Sequence, residues 1–179
     1  MKLRDIFNYD NEKYGRLRDS ARAVSNAYLT ANRYLDQCKE FLYTEFGTVN
    51  FSNVVHGSAH TQLERLDIFG DLLHERHLMQ EFPSTEELDI REEVKDMDDI
   101  FTLIVRIYDN VQEALEKFHA VTDNADFRPM ALKVEELMLA NSKDYTKILA
   151  IWQRYDTDGG SLTSFDSWVK QYAESGEVY

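Results

Sequence analysis

Apolar residues recur every three or four positions along the chain, which is the repeat of a helix with one buried face. The first such stretch lies within 14–46 and contains Tyr14, Leu17, Ala21, Val24, Tyr28, Ala31, Leu35, Cys38, Phe41 and Leu42. Gly47 interrupts the pattern, and a second stretch runs from about Phe51 to Gln80, before Pro83. The pattern therefore predicts two long helices in the first half of the chain.

Two more stretches have the same period in the second half of the chain. The third follows Ser84, which forms a capping-box pattern with Glu87, and contains Val94, Met97, Phe101, Ile104, Tyr108, Val111, Leu115 and Phe118. The fourth contains Phe127, Met130, Ala131, Val134, Met138, Tyr145, Ile148, Leu149 and Trp152. A third helix that begins at Ser84 gives up-down-up-down topology. A third helix that begins near Glu92 leaves residues 81–92 as a connection that crosses the whole length of the bundle.

These stretches predict an all-α protein with a single domain over 1–179, because 179 residues suffice for one well-packed core. The four long helices form a bundle over about 14–155. The C-terminal extension, 156–179, has an amphipathic segment that we expect to dock on the bundle through Leu162, Phe165, Trp168, Val169 and Tyr172.

The charge of the chain narrows the choice of partners. Thirty-three Asp and Glu against twenty Lys and Arg give a net charge of −13, which repels phosphate backbones and attracts cations. Neither end is a polybasic arm, so DNA is not an expected partner. The chain lacks both the roughly 18–20 apolar residues of a membrane span and a signal-peptide core. We therefore expect a cytoplasmic protein without a membrane partner, and the single cysteine, Cys38, fits a reducing compartment.

One face of the second helix contains seven side chains that can bind a metal and no Lys or Arg. They fall within about 100° of arc and form what we call the His/carboxylate stripe: His56, His60, Glu64, Asp67, Asp71, His74 and Glu75. Like charges packed together favour a bound cation, and mixed imidazole and carboxylate ligands suit Fe(II), Mn(II) or Zn(II) better than Ca²⁺. The alternative is a solvated helix face that binds nothing.

The stripe is too long for a single ion. At about 1.5 Å per residue, His56 and His60 lie roughly 16 to 28 Å along the axis from Asp71 and Glu75. Two antiparallel copies of the helix about a two-fold axis bring the histidines of one chain opposite these carboxylates of the other. The stripe therefore predicts a dimer with two equivalent metal sites.

The spacing of His56, His60, Asp71 and Glu75 resembles the second-helix signature of the miniferritins, the DNA-binding proteins from starved cells (Dps). Weaker helical similarity extends over about 25–153. The resemblance implies a ferritin-like four-helix bundle with one long crossover, assembled from two-fold dimers into a hollow dodecamer. It also implies a ferroxidase, whose di-iron site between subunits oxidises Fe(II) with hydrogen peroxide or O2 before the ferric product is stored as mineral.

The resemblance also assigns metal ligands. His56 from one subunit and Asp71 and Glu75 from the other take the family's ligand positions, while His60 stands where the family has Asp. This change keeps a ligand but removes a negative charge, which leaves Zn or Mn as alternatives to iron. The family's first-helix His falls near Thr44, where Glu45 is a candidate replacement. Further candidate ligands on the stripe are Glu64, Asp67 and His74.

Two other interpretations remain open. Ordinary ferritins hold two irons inside one bundle through Glu-x-x-His pairs, and here Glu116 with His119 fits that pattern in a single copy. The alternative from another functional class is a helical structural or interaction protein, without catalysis, whose stripe packs against a basic partner.

Overall fold

The structure, a computed structural model, describes residues 12–82, 89–123, 127–159 and 161–175. Within these ranges it contains helices and no strand, so the predicted all-α class is confirmed. The helices are α1 (Glu12–Thr44), α2 (Val49–His74), α3 (Met97–Thr122), α4 (Arg128–Thr157) and α5 (Leu162–Glu174). None of them combines the length and the apolar character that crossing a membrane requires.

The four long helices form two antiparallel pairs. Residues 45–48 connect α1 to α2, and Asn32 Nδ2 of α1 donates to the Ala59 carbonyl of α2 at 3.1 Å. In the second pair, Trp152 Nε1 near the end of α4 donates to Asp98 near the start of α3 at 2.9 Å. Each pair is thus a helical hairpin with a short connection.

The two hairpins are arranged so that α2 and α3 run parallel. Near the starts of these helices the Phe51 and Phe101 rings lie 5.1 Å apart, and near their ends Phe69 and Phe118 lie 5.0 Å apart. The connection 75–96 must therefore return along the length of the bundle. Of the two predicted topologies, the structure has the crossover and not the up-down-up-down arrangement.

Helix α2 ends at His74, six residues before the predicted end at Gln80. Leu78 N donates to the Leu73 carbonyl at 3.0 Å, and His77 takes a left-handed conformation with φ 56°. This is the Schellman pattern of a helix C-terminus, with the buried Leu78 side chain as its apolar contact. The predicted end at Gln80 is therefore wrong, because the helix ends at this left-handed residue and does not continue towards Pro83.

His77 is in a backbone region that costs a side chain about 1–2 kcal/mol. We expect His77→Gly to raise the free energy of unfolding by about 0.5–1 kcal/mol, since glycine relieves this cost but is more flexible when unfolded. Urea denaturation measures the change. The matched control, His74→Gly, lies within α2 and should destabilise the protein by about 1 kcal/mol. Equal destabilisation by both changes contradicts the expectation.

Helix α3 begins at Met97, later than either predicted start. The Asp96 side chain accepts from Asp99 N at 2.9 Å, and the Asp99 side chain accepts from Asp96 N, which completes a capping box. The predicted capping pair, Ser84 and Glu87, lies outside the described residues. The link between α2 and α3 is therefore longer than the predicted link over 81–92.

The described parts of this connection lie at opposite ends of α1. After α2, Gln80 Nε2 donates to the Leu66 carbonyl at 3.2 Å, and its side chain packs where Gly70 has no Cβ. Glu81 then reaches Arg18 and Arg22, in the first third of α1, at 4.0 and 3.9 Å. At the other end, Ile90 is buried and lines a hollow with the last turns of α1. The two described parts of the crossover therefore contact regions of α1 that lie far apart along this helix.

Helix α5 docks at the start of α2, as predicted for the C-terminal segment. Its Phe165 and Val169 side chains are buried, and the Phe165 ring lies 5.4 Å from Phe51. Asp166 accepts hydrogen bonds from the backbone N–H groups of Asn50 and Phe51 at 3.2 and 2.9 Å. A carboxylate at a helix N-terminus stabilises it, so α5 supplies the cap that α2 otherwise lacks.

Candidate metal site

The His/carboxylate stripe lies on the outer face of α2. Its six residues from His60 onwards are exposed, and His56, beside α1, is partly buried. The opposite face of the helix packs into the core through Phe51, Val55, Ala59, Leu66, Phe69 and Leu73. The stripe is therefore open to solvent and to a second copy of the chain.

At one end of the stripe, the imidazoles of His56 and His60 converge. Their Nε2 atoms lie 3.1 Å apart, and the ring centroids lie 4.5 Å apart at an angle of 75°. Two nitrogens that bind one ion at about 2.0–2.1 Å each are themselves about 3 Å apart. The two histidines are therefore spaced as neighbouring ligands of one ion.

Asp36 of α1 lies behind this pair. Its Oδ1 is 3.1 Å from Nδ1 of His56, and a carboxylate is an acceptor only, so Nδ1 donates. In the neutral ring this leaves the Nε2 lone pair of His56 pointing towards His60, where a metal ion can replace the intervening proton. A carboxylate that orients a ligating imidazole from its far side is a common feature of metal sites.

No pattern in the sequence indicates the role of Asp36. Its partner lies on another helix, and the contact depends on how α1 and α2 pair across the turn at 45–48. The available signal was the position of this turn, because Asp36 and His56 lie at nearly equal distances from it along an antiparallel pair.

Asp71 and Glu75 lie at the other end of α2. Both are exposed, and both line an open groove of about 390 Å³ between α2 and α4, next to Lys133. Because α2 is one continuous helix up to His74, the axial separation of about 16 to 28 Å from the histidines holds within a chain. In the described part of the chain, no group of three or more His, Cys, Asp or Glu is placed to hold one ion. Within one chain, the histidine pair and these two carboxylates therefore cannot bind the same ion.

The other predicted ligands occupy different places. Glu64 and Asp67 lie on the stripe between its two ends, and His74 is the last residue of α2. Glu45 follows the end of α1 and lines a hollow with Asp89 and Arg91. That Glu45 replaces the family's first-helix His as a metal ligand remains a prediction.

The structure does not place Glu116 and His119 in the bundle interior. Glu116 is exposed and accepts from Gln112 Nε2 at 3.0 Å, while His119 Nε2 lies 2.9 Å from Glu135 of α4. Among the described residues, the buried polar side chains include no acid and no histidine: they are Ser25, Thr48, Ser52, Gln62, Arg65, Thr122 and Asn141. The described core thus lacks the donor set of an intra-bundle di-iron site.

Two large apolar side chains of α2, Val49 and Ile68, are 45% and 54% exposed. By their positions in the helical repeat they lie on or next to the face of the stripe, where they are suited to contact with another protein surface. Other exposed large apolar residues lie on α1, after α2 and on α4: Tyr43, Met79, Phe82, Leu132, Leu139 and Leu149.

Comparison of the chain with protein-family models and with curated proteins gives no match. Conclusions about its function therefore depend on the arrangement of its own residues.

Proposed function

We propose that this chain is a miniferritin-like ferroxidase, which oxidises Fe(II) at a His/carboxylate site shared by two subunits and stores the product. The observation that carries the proposal is the convergence of the His56 and His60 Nε2 atoms at 3.1 Å, with Asp36 behind them. A solvated helix face needs no such arrangement. Binding of a metal ion accounts for the positions of all three side chains.

The helix arrangement supports a ferritin-like fold. Ferritin-like proteins have two helical hairpins joined by one long crossover, so that the second and third helices run parallel. The ring contacts of Phe51 with Phe101 and of Phe69 with Phe118 give α2 and α3 that relation.

One two-fold register pairs six of the seven stripe residues between two chains, and His74 then faces Gly57. When His56 faces Glu75 of a second copy, His60 faces Asp71, and Glu64 faces Asp67. Each site then has two imidazoles from one chain and two carboxylates from the other, and the central acids form a negative surface that needs cations. The exposed apolar residues near the stripe supply contact area for the same interface.

The chemistry proposed for this site is a two-electron reduction of peroxide. Two Fe(II) ions, bound as substrate, give up one electron each, and the O–O bond of hydrogen peroxide breaks. With two protons the peroxide oxygens become two water molecules, so no single-electron radical is released. The imidazoles and carboxylates hold the two ions together for this step.

The test is Fe(II) oxidation by the full chain, followed by absorbance near 300 nm after addition of hydrogen peroxide or O2. The proposal expects a fast phase that consumes two Fe(II) per peroxide. Oxidation no faster than in buffer overturns it. Native mass spectrometry on the same sample tests the dodecameric assembly of dimers.

A zinc or manganese binder is the second candidate function. A pair of imidazoles with a carboxylate on the far nitrogen also suits Zn(II), and His60 replaces the acid of the miniferritin signature. Stable retention of Zn(II) or Mn(II) by the purified protein, without iron oxidation, identifies this function. Absence of metal binding favours a structural or interaction protein.

Asp36 should raise the metal affinity of this site although it does not bind the metal itself. We expect Asp36→Asn to weaken metal binding by about 10–100-fold, because the amide is neutral and no longer fixes the tautomer of His56 as a carboxylate does. Co(II) titration, followed by absorbance, measures the affinity. The matched control is Asp109→Asn, an exposed aspartate on α3. Equal affinities for both variants contradict a positioning role for Asp36.

A further inference from the structure

The carboxylate end of the stripe coincides with the end of α2. Asp71 lies in the last turn of this helix, while Glu75 is its C-cap, one residue after His74. The backbone N–H of Glu75 donates to the Asp71 carbonyl at 3.0 Å, which continues the helical pattern to this residue. Helix ends fray, since their last carbonyls lack helical partners. The position of the Glu75 carboxylate therefore depends on what holds the chain that follows.

Residues 75–82, which we call the return segment, fold back onto α2. Leu78 N donates to the Leu73 carbonyl at 3.0 Å, and the Leu78 side chain is buried. Further along, Gln80 Nε2 donates to the Leu66 carbonyl at 3.2 Å, about two turns before the end of the helix. The return segment is thus tied to α2 at the last turn of the helix and again well inside it.

Gly70 makes room on α2 for the Gln80 side chain. A Cβ at position 70 would lie 2.3 Å from Gln80 Oε1 and 3.0 Å from its Cδ. At Gly57, the other glycine of α2, a Cβ would meet nothing within 4 Å. Glycine is less favourable than alanine inside a helix, and the contact with Gln80 explains its presence at position 70. We call this contact the Gly70/Gln80 latch.

The return segment is also attached to α1, through ion pairs. Glu81 lies 4.0 Å from Arg18 Nε and 3.9 Å from Arg22 Nε, and both arginine side chains are more than half exposed. Ion pairs of exposed side chains contribute little to stability, because water and salt screen them. The Gly70/Gln80 latch, in contrast, ties the chain beyond Leu78 to the helix that carries the stripe.

We propose that Gly70 and Gln80 are positioning residues for the carboxylate end of the metal site. By holding the return segment against α2, the latch keeps the last turn closed and Glu75 beside Asp71 on the stripe. A carboxylate that is already in place loses little conformational freedom when it binds an ion, so the affinity of the site is higher. This inference rests on the proposed function, in which Glu75 is a ligand, and neither latch residue touches the metal.

Co(II) titration of the full chain, followed by absorbance, tests the latch with two variants. Gln80→Ala removes the amide, and Gly70→Ala displaces it, since the flexible side chain moves away from the new methyl group. Each should weaken Co(II) binding by about tenfold, the lower limit for groups that orient a ligand. In the metal-free protein, each should also speed hydrogen exchange at the backbone amides of Glu75 and Arg76, which bond to the last turn of α2. The matched control, Gln153→Ala at an exposed position of α4, should change neither.

A double variant shows whether the latch acts through Glu75. With Glu75→Ala already present, Gln80→Ala should cause no further loss of Co(II) affinity, because the ligand that the latch positions is gone. Additive losses overturn the proposal, as do unchanged affinity or unchanged exchange in Gln80→Ala alone. Absence of Co(II) binding by the wild type instead contradicts the metal site itself, and the proposed function then fails together with this inference.

Discussion

Replacing both His56 and His60 with alanine is expected to reduce Fe(II) oxidation to the rate in buffer. Loss of one orienting group outside the ligand set already costs a metal site about 10–100-fold in affinity or activity. Loss of both imidazoles removes the two nitrogen ligands that converge at this end of the stripe, so a decrease of more than about 100-fold is expected. Stopped-flow absorbance after peroxide addition measures the rate.

The control removes two histidines elsewhere. His77→Ala with His119→Ala changes one residue after α2 and one at the end of α3, and neither is on the stripe. This double variant should oxidise Fe(II) at the wild-type rate. If the His56 and His60 variant keeps the wild-type rate, the histidine pair is not the site of oxidation.

Truncation of Phe101 to alanine is expected to lower the free energy of unfolding by about 3–5 kcal/mol. The Phe101 ring is buried where four other aromatic rings meet, with centroids 5.1 Å from Phe51, 5.4 Å from Trp152, 5.8 Å from Tyr155 and 6.2 Å from Phe165. Removing it leaves a cavity between α2, α3, α4 and α5. Because these side chains come from four helices, their packing should loosen together.

Guanidinium denaturation measures this loss. The control is Leu139→Ala on α4, which is 59% exposed and should change stability by less than about 0.5 kcal/mol. Similar values for the two variants contradict the expectation that the aromatic cluster holds α5 to the bundle.

The helical period was sufficient to find the long helices and their buried faces. Of the apolar residues that the helical repeat places on one side of α2, Val55, Ala59, Leu66, Phe69 and Leu73 are buried, and Leu63 is partly buried against the core. A helix of fixed pitch places residues by their number alone, so the same repeat places the stripe on a different side of α2 from these buried residues. Local periodicity thus identified which side of α2 carries the candidate ligands.

The ends of helices around the crossover were not predictable in this way. The end of α2 depends on the left-handed conformation of His77. Glycine commonly adopts this conformation at helix ends, but a histidine in the sequence does not predict it. The start of α3 depends on Asp96 and Asp99, which stand within a run of acids that offers several possible caps. The ring contacts between α2 and α3 show that these helices are parallel, and only this relation distinguishes the two predicted topologies.

Contacts between residues on different helices could also not be predicted from the sequence. Asp36 meets His56, and Arg65 meets Asp144, because of how the helices pair along their lengths. No spacing within one helix indicates such a contact. The part of the candidate site that lies on a single helix was therefore found, and the part that another helix supplies was missed.

Subunit complementation tests the central claim most directly. One chain has His56→Ala with His60→Ala, the other has Asp71→Ala with Glu75→Ala, and each alone should be inactive. When the two are co-expressed in equal amounts, random pairing places intact histidines opposite intact carboxylates in about one site in four, so about a quarter of the wild-type oxidation rate should return. Absence of recovery in verified mixed assemblies contradicts a site shared between two chains.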